Sequence, residues 1–193
     1  MLTSLWDHGM QPVQWGAAVT ASLVAAAIDV RTHRIPNMLT GLVLLLGLIW
    51  SCGVAGWGGL GDGVCGVFVT GLPFFVLWVM RAGGAGDAKM MGALGAWLGV
   101  RNGAVALLAV ALAGGVVSLG YAIARRQLRS ALRNVAVVMG ATVMLLITGR
   151  RIAGKRELIP SIQSLEAFPY GIAIFLGTSL AAVGVLWWRS TAR

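Results

Sequence analysis

Long runs of apolar residues constrain the fold of this chain more than any other feature. A helix needs about 20 such residues to cross the ~30 Å hydrocarbon core of a bilayer, where only helices and closed barrels satisfy every backbone group. Hydrophobic residues make up 58% of the 193 residues and charged residues 11%, unlike a soluble domain. We predict an all-α, polytopic membrane helix bundle with about six transmembrane helices, in which residues 1–193 form one membrane-embedded domain. Seven apolar runs occur, at about 13–29, 38–55, 64–80, 90–100, 103–124, 135–149 and 169–188.

Two of the six acidic residues stand next to apolar runs. Asp29 ends the first run, and Asp87 follows the glycine-rich stretch 83–86. A carboxylate at the edge of the hydrocarbon region costs about 3 kcal/mol on translocon scales, so each is a functional hypothesis by default. Asp87 has an ordinary alternative role as a helix cap. That alternative is weaker for Asp29, because the dipole at the C-terminal end of a helix disfavours an anion.

Two neighbouring carboxylates suit the hydrolysis of a peptide bond by water. They cannot easily both ionise, so they share one proton and together supply a general base and a general acid. Gly84 and Gly86 would let the backbone come close to a substrate, and Pro36 would preset the start of the second helix. Lys89 either tunes the pair, contacts substrate or only sets topology. We expect no cofactor and no metal, since the two cysteines do not form a CxxC pair.

Basic residues predict the orientation in the membrane, because short loops rich in Lys and Arg stay in the cytoplasm. If both aspartates face the cytoplasm, the N-terminus is outside. The run 135–149 is flanked by basic residues on both sides. If this run lies along the cytoplasmic face, twelve of the fifteen Lys and Arg residues are in the cytoplasm; if it spans the membrane, ten of them are. We favour the first arrangement, which predicts six spans, an external C-terminus and a location in the bacterial inner membrane.

Most other distinctive residues favour structural roles. Gly95 and Gly99 form a GxxxG pattern that is typical of close helix packing. Cys52 and Cys65 are more typical of apolar packing residues than of a disulfide. We predict that the remaining acids and His33 lie in loops or on the surface, and that six tryptophans anchor span ends at the membrane interface. These residues are Asp7, Asp62, Glu157 and Glu166, and Trp6, Trp15, Trp50, Trp57, Trp187 and Trp188.

Two short elements of the chain together resemble the paired signature of the type IV prepilin peptidases. The first is Asp29 with Arg31 and Ile35-Pro36-Asn37, and the second is Gly84-Ala85-Gly86-Asp87-Ala88-Lys89, which matches the GxGD pattern of membrane aspartyl proteases. Pro169-Tyr170-Gly171 is also similar to a family feature. The resemblance implies that Asp29 and Asp87 are the catalytic pair. It implies supporting roles for Gly84, Gly86, Lys89, Arg31, Pro36 and Asn37.

The resemblance also implies a substrate and a reaction. Family members cleave the basic leader of a prepilin at the cytoplasmic membrane face, and larger members carry an N-terminal region, often with paired CxxC motifs, and also N-methylate the product. This chain resembles the short, peptidase-only form found in Flp (tight-adherence) pilus systems, although the stretch 125–168 is long for that form. The expected partners are a prepilin-like substrate and membrane lipid, without nucleic acid. A non-catalytic membrane scaffold or a small transporter remains the alternative.

Overall fold

The described part of the chain is entirely helical where its structure is regular. A computed structural model describes residues 11–79, 83–124 and 170–191, with the single positions 136 and 140. Among these residues there is no strand, which confirms the predicted all-α class, and each helix is long and apolar enough to cross a membrane. The helices are α1 (Gln11–Thr32), α2 (Asn37–Val79), α3 (Ala85–Ala124) and α4 (Gly171–Thr191).

Helices α2 and α3 are each broken once. A straight helix of 43 residues would be about 65 Å long, twice the hydrocarbon thickness. The backbone leaves helical geometry at Gly56 (φ 59°) and at Gly99 (φ 68°), in the left-handed region that glycine reaches without the clash of a Cβ atom. The breaks divide the two helices into α2a (37–54) and α2b (57–79), and into α3a (85–98) and α3b (100–124).

The contacts of α2a show that it runs parallel to α3a. Lys89 Nζ donates a hydrogen bond to Asn37 Oδ1 (2.8 Å) near the start of both segments. Farther along, Trp97 Nε1 donates to the carbonyl oxygen of Val43 (2.9 Å). Sequence position therefore increases in the same direction along both segments.

The segments that follow each break run the opposite way. Thr70 Oγ1 of α2b donates to the carbonyl oxygen of Met91 (2.7 Å), whereas Gly66, earlier in α2b, contacts the backbone of Gly95, later in α3a. A Cβ atom at Gly103 of α3b would lie 4.0 Å from Cα of Gly95, although residues eight apart in a straight helix are separated by about 12 Å. The chain thus reverses at both breaks.

The reversals give six helical segments among the described residues. Four helices are long and apolar enough to cross a membrane. The count of about six transmembrane helices would require each of the six segments to cross separately, so that count stays a prediction. The run 135–149 and the basic residues that flank it lie outside the described residues, so its predicted position on the cytoplasmic face also stays a prediction.

Segment α3a lies at the centre of the bundle. Met90, Met91 and Leu94 are fully buried, and small residues bring the neighbouring backbones close. A Cβ atom at Gly66 would overlap the backbone of Gly95 and come within 2.9 Å of Cα of Gly99. The GxxxG pair is therefore a packing surface for α2b, as predicted, and it allows close van der Waals contact where no hydrophobic effect draws helices together.

Two sequence predictions are wrong. Trp15 is fully buried in the core rather than at the interface. It belongs to α1, which packs against both α3 and α4. Asp62 lies in α2b rather than in a loop, and its Oδ1 accepts a hydrogen bond from the amide of Val100 (3.4 Å). The break at Gly99 creates a new helix N-terminus with unpaired amides, which Asp62 caps across the hairpin. Cys52 and Cys65 are free thiols.

Candidate active site

Asp29 is a buried carboxylate near the end of α1, with 6% of its surface exposed. Its Oδ2 accepts a hydrogen bond from the backbone amide of Gly171 (3.0 Å). Gly171 is the first residue of α4, so this amide is one of those that the helix leaves unpaired at its positive end. The N-terminus of α4 thus offsets the unfavourable position of an anion at the C-terminal end of α1.

The absence of a side chain at Gly171 makes this contact possible. A Cβ atom there would lie 3.0 Å from both Cβ and Oδ2 of Asp29, and 3.1 Å from Cα of Ala26. Tyr170, one residue earlier, accepts the hydrogen bond from Ile174 N (3.1 Å) that begins α4. The two helices meet at backbone distance, so the position of the Asp29 carboxylate is set by both.

Asp87 lies in the first turn of α3, two residues after the helix begins at Ala85. The backbone amide of Gly84 is a hydrogen-bond partner of its carboxylate. Gly84 is the N-cap residue of this helix and Asp87 is the third helical residue, N3. In a capping box, an acidic side chain at N3 accepts a hydrogen bond from the backbone amide of the N-cap residue. The capping role considered from sequence is therefore present. It leaves acceptor capacity on the carboxylate, which has two oxygens, and Asp29 is close enough to interact with it electrostatically.

The two sequence elements that carry the aspartates pack directly on each other. Ile35, in the connection between α1 and α2, is 8% exposed, and a Cβ atom at Gly86 would lie 3.1 Å from its Cβ. The hydrogen bond between Lys89 and Asn37 joins the same two elements. Gly86, Lys89 and Asn37 therefore hold the segments together. This partner for Lys89 was not among the roles predicted from sequence.

The other predicted supporting residues shape the connection after α1. The carbonyl oxygen of Pro36 accepts a hydrogen bond from Thr40 N (3.3 Å) in the first turn of α2. His33 has a left-handed backbone (φ 52°), and its amide donates to the carbonyl oxygen of Asp29 (2.7 Å), which ends α1. Arg31 is exposed in the last turn of α1, where the helix dipole favours a cation.

Sequence reasoning noted Tyr170 only as part of a family-like motif and gave it no role. Its ring meets that of Phe74 edge to face (centroids 5.8 Å apart, 65°), and its hydroxyl lies against Gly114 of α3b. Burial, and then the nearby Asp87 carboxylate, raise the pKa of the Tyr170 phenol, so it stays a hydrogen-bond donor at neutral pH. Pro169 lies outside the described residues.

No metal-binding cluster occurs in the described part of the chain, where His, Cys, Asp and Glu residues nowhere gather in threes or more. The expectation that the chemistry needs no metal stays a prediction. The residues that do gather are two carboxylates, the amides of Gly84 and Gly171, and the phenol of Tyr170.

The described chain has several apolar helices of spanning length, as a multi-pass membrane protein does. Two carboxylates lie close together at one end of these helices and form a paired-acid site. The model of the type IV leader peptidase family matches residues 17–119, more than half of the chain and both aspartates. The chain belongs to that family, which confirms the resemblance seen in its sequence.

The similar proteins that have been curated carry one name, "Prepilin leader peptidase/N-methyltransferase". That of Pectobacterium carotovorum subsp. carotovorum is 36% identical over 124 residues, which cover 60% of this chain and 43% of the relative. That of Aeromonas salmonicida (strain A449) is 31% identical over 131 residues, covering 60% and 44%. The chain thus spans less than half the length of these relatives. No solved structure matches.

Proposed function

We propose that this chain is an aspartic endopeptidase that cleaves the leader peptide of type IV prepilin-like proteins, with Asp29 and Asp87 as its catalytic pair. One observation carries the proposal: the two motif carboxylates, far apart in sequence, meet at one end of the bundle, and each is held by a backbone amide. The names of the similar proteins supply the prepilin substrate.

The proposed reaction uses the shared proton of the pair. The ionised carboxylate removes a proton from a water molecule, and the water oxygen attacks the scissile carbonyl carbon. The protonated carboxyl group gives its proton to the carbonyl oxygen. When the tetrahedral intermediate collapses, the C–N bond breaks and the leaving amine takes the proton that the first carboxylate removed from water. A hydroxyl proton of the intermediate returns to the second carboxylate as the new carbonyl forms, so the pair again holds one proton. The titration belongs to the pair rather than to either residue.

The charge near the pair supports cleavage at the cytoplasmic face. Arg31, Arg34 and Lys89 are exposed at the same end of the bundle as the two carboxylates. Short basic loops stay in the cytoplasm, which in a bacterium makes the inner membrane the location of the protein. A basic leader would meet repulsion from these cations, which the ionised member of the pair and anionic lipid headgroups would offset.

The breaks in the described helices argue against a small transporter. Transporters place discontinuous helices at the charged binding site, so that helix ends face the ion or substrate. Here the breaks at Gly56 and Gly99 lie at the other end of the bundle. Asp87 and Gly99 are separated by twelve residues of α3, or about 18 Å.

We also propose that the chain cleaves without methylating. Its two cysteines lie thirteen positions apart, and no CxxC motif occurs in the sequence. The matched relatives are named for both activities. Mass spectrometry of the new N-terminus, after incubation with a prepilin, a methyl donor and optionally a chelator, tests this. A methylated product would contradict the proposal, and loss of cleavage with the chelator would contradict a metal-free pair.

Conservative removal of each carboxylate tests the catalytic pair. Asp29→Asn and Asp87→Asn keep side-chain shape but remove the acid–base chemistry, so each should lower the cleavage rate by about 10²- to 10⁴-fold or more. Asp62→Asn is the matched control, because Asp62 caps α3b away from the pair. It should cleave at the wild-type rate. Substantial cleavage by either of the first two variants, at equal membrane abundance, would remove that residue from the pair.

A further inference from the structure

The hydroxyl group of Tyr170 is a hydrogen-bond donor without a partner. The phenol ring packs edge to face on Phe74, and the hydroxyl lies against Gly114 of α3b, where a Cβ atom would overlap the phenol oxygen. No hydrogen bond to this hydroxyl occurs among the residues that the structure describes. A donor that packing holds in place and no acceptor occupies is available to a bound molecule.

Packing around the ring places Tyr170 at the level of Asp87. A Cβ atom at Gly71 of α2b would lie 3.5 Å from the carbonyl oxygen of Ala88 in α3a. Because α2b and α3a are antiparallel, Phe74, about one turn after Gly71, lies beside the turn of α3a that precedes Ala88 and holds Asp87. The ring of Tyr170, with its centroid 5.8 Å from that of Phe74, therefore stands at the level of this turn.

Tyr170 also borders the other acid through the chain. The amide of Gly171, the next residue, donates to Oδ2 of Asp29 (3.0 Å), and the carbonyl oxygen of Tyr170 accepts the hydrogen bond that begins α4. The phenol is close enough to the Asp87 carboxylate for an electrostatic interaction, although the two groups share no hydrogen bond in the described part of the chain. Tyr170 thus adjoins both acids while its hydroxyl stays unused.

The other neutral donors at the site are already occupied. The amide of Gly84 bonds to Asp87, and that of Gly171 bonds to Asp29. Apart from the proton that the acids share, the phenol is therefore the one unused donor among the described groups that gather at the pair. Asp87 and Tyr170 are only partly buried, whereas Asp29 is buried, so a substrate meets the pair from the side of Asp87 and Tyr170.

Hydrolysis of a peptide bond needs a donor of this kind. As water attacks the carbonyl carbon, negative charge develops on the carbonyl oxygen. A donor that is fixed before the reaction stabilises this charge without reorganising during the step.

We propose that the Tyr170 phenol donates a hydrogen bond to the scissile carbonyl oxygen of the substrate, and that Gly114 provides the space that holds its hydroxyl in place. The inference rests on the proposed peptidase function and adds a third catalytic residue to the two acids. The phenol keeps its proton throughout, because the proton that reaches the carbonyl oxygen comes from the protonated carboxyl group. The hydrogen bond strengthens as charge develops, so it acts on kcat more than on KM.

Tyr170→Phe tests the donor, because it removes the hydroxyl and keeps the ring on Phe74. With the purified full chain and a prepilin substrate, kcat should fall about five- to tenfold, the equivalent of one hydrogen bond, while KM stays within about twofold of the wild type. The thermal unfolding midpoint in detergent should stay the same. A wild-type kcat, or a rise in KM with an unchanged kcat, would overturn the proposal.

Two adjacent glycines test the position of the hydroxyl. Gly114→Ala should displace the phenol and lower kcat, whereas Gly115→Ala, at an exposed position with nothing within 4 Å, should cleave like the wild type. Added to Tyr170→Phe, Gly114→Ala should still lower the unfolding midpoint, because the ring carbon Cζ would lie 2.7 Å from the new Cβ, but it should lower kcat no further. A further fall in kcat would show that Gly114→Ala acts through packing and would refute the role of Gly114.

The Asp87→Asn variant separates the role of the phenol from the peptidase function itself. If the wild type leaves the prepilin intact, or if Asp87→Asn cleaves it normally, the proposed function is wrong and the role of Tyr170 falls with it. If the wild type cleaves, Asp87→Asn does not and Tyr170→Phe keeps the wild-type kcat, only the role of the phenol is refuted.

Discussion

Replacing Gly171 by alanine tests whether the start of α4 positions Asp29. The added Cβ atom would lie 3.0 Å from Oδ2 of Asp29 and 3.1 Å from Cα of Ala26. The carboxylate can yield by a few tenths of an ångström, but the backbone of α1 cannot yield as easily. The substitution should therefore push α4 away from α1 and lengthen the 3.0 Å hydrogen bond to Asp29.

The size of the effect follows from two opposing contributions. Overpacking of a close contact costs about 1–3 kcal/mol, and alanine recovers about 0.5–1 kcal/mol relative to glycine in a helix. The net free energy of unfolding should fall by roughly 1–2 kcal/mol. A hydrogen bond to a charged group contributes about 1.5–3 kcal/mol, so losing the lower figure corresponds to roughly tenfold slower cleavage.

Two other glycines of α4 separate catalysis from stability. At Gly177 a Cβ atom would overlap the backbone of Val110, whereas at Gly184 it would meet nothing within 4 Å. Gly177→Ala should lower the thermal unfolding midpoint in detergent without changing the rate per folded molecule. Gly184→Ala should be neutral or slightly stabilising. Only Gly171→Ala should slow cleavage of a prepilin substrate by folded enzyme.

The reasoning fails if Gly171→Ala cleaves at the wild-type rate while its unfolding midpoint falls like that of Gly177→Ala. That result would mean that the amide at the start of α4 supports packing alone. An equal loss of specific activity in both variants would also refute it, since the defect would then follow from loosened packing anywhere in α4.

Three further predictions concern packing, the phenol and topology. Gly66→Ala should lower the free energy of unfolding by about 2 kcal/mol or more, because its Cβ would overlap the backbone of Gly95. Gly61→Ala adds its Cβ in open space and should leave the free energy of unfolding unchanged, so equal thermal midpoints for the two variants would contradict the packing argument. Tyr170→Phe should keep the ring contact and the fold but slow cleavage severalfold if the phenol donates to the site; an unchanged kcat would limit Tyr170 to packing. A reporter at residue 157 should indicate cytoplasm, and a periplasmic signal would mean that the preceding run spans.

Local patterns in the sequence were sufficient to predict the class of fold and the two acids. Apolar runs of spanning length must become helices in lipid, whatever their neighbours. A carboxylate at the edge of such a run is costly wherever the helix packs, so Asp29 and Asp87 stand out without a structure. The motif around each acid also identified the family, because its residues are close together in the chain.

The partners of these acids were not predictable in the same way. The amide that bonds to Asp29 comes from Gly171, 142 positions away, and Lys89 reaches Asn37 across 52 positions. Tyr170 and Asp62 were visible as residues, but their contacts with Gly114 and Val100 depend on which helices become neighbours. No periodicity of a single helix encodes that choice.

The sequence by itself thus determined that this chain is a helical membrane protein of the type IV leader peptidase family with two marked carboxylates. The tertiary structure decided where α2 and α3 reverse, which glycines allow close contact, and that the positive end of α4 meets the negative end of α1 at Asp29. In lipid every apolar face is equally well solvated, so packing of small residues rather than hydrophobicity selects the neighbours of each helix. That selection depends on the complementarity of two surfaces at once, which a pattern along one chain segment does not contain.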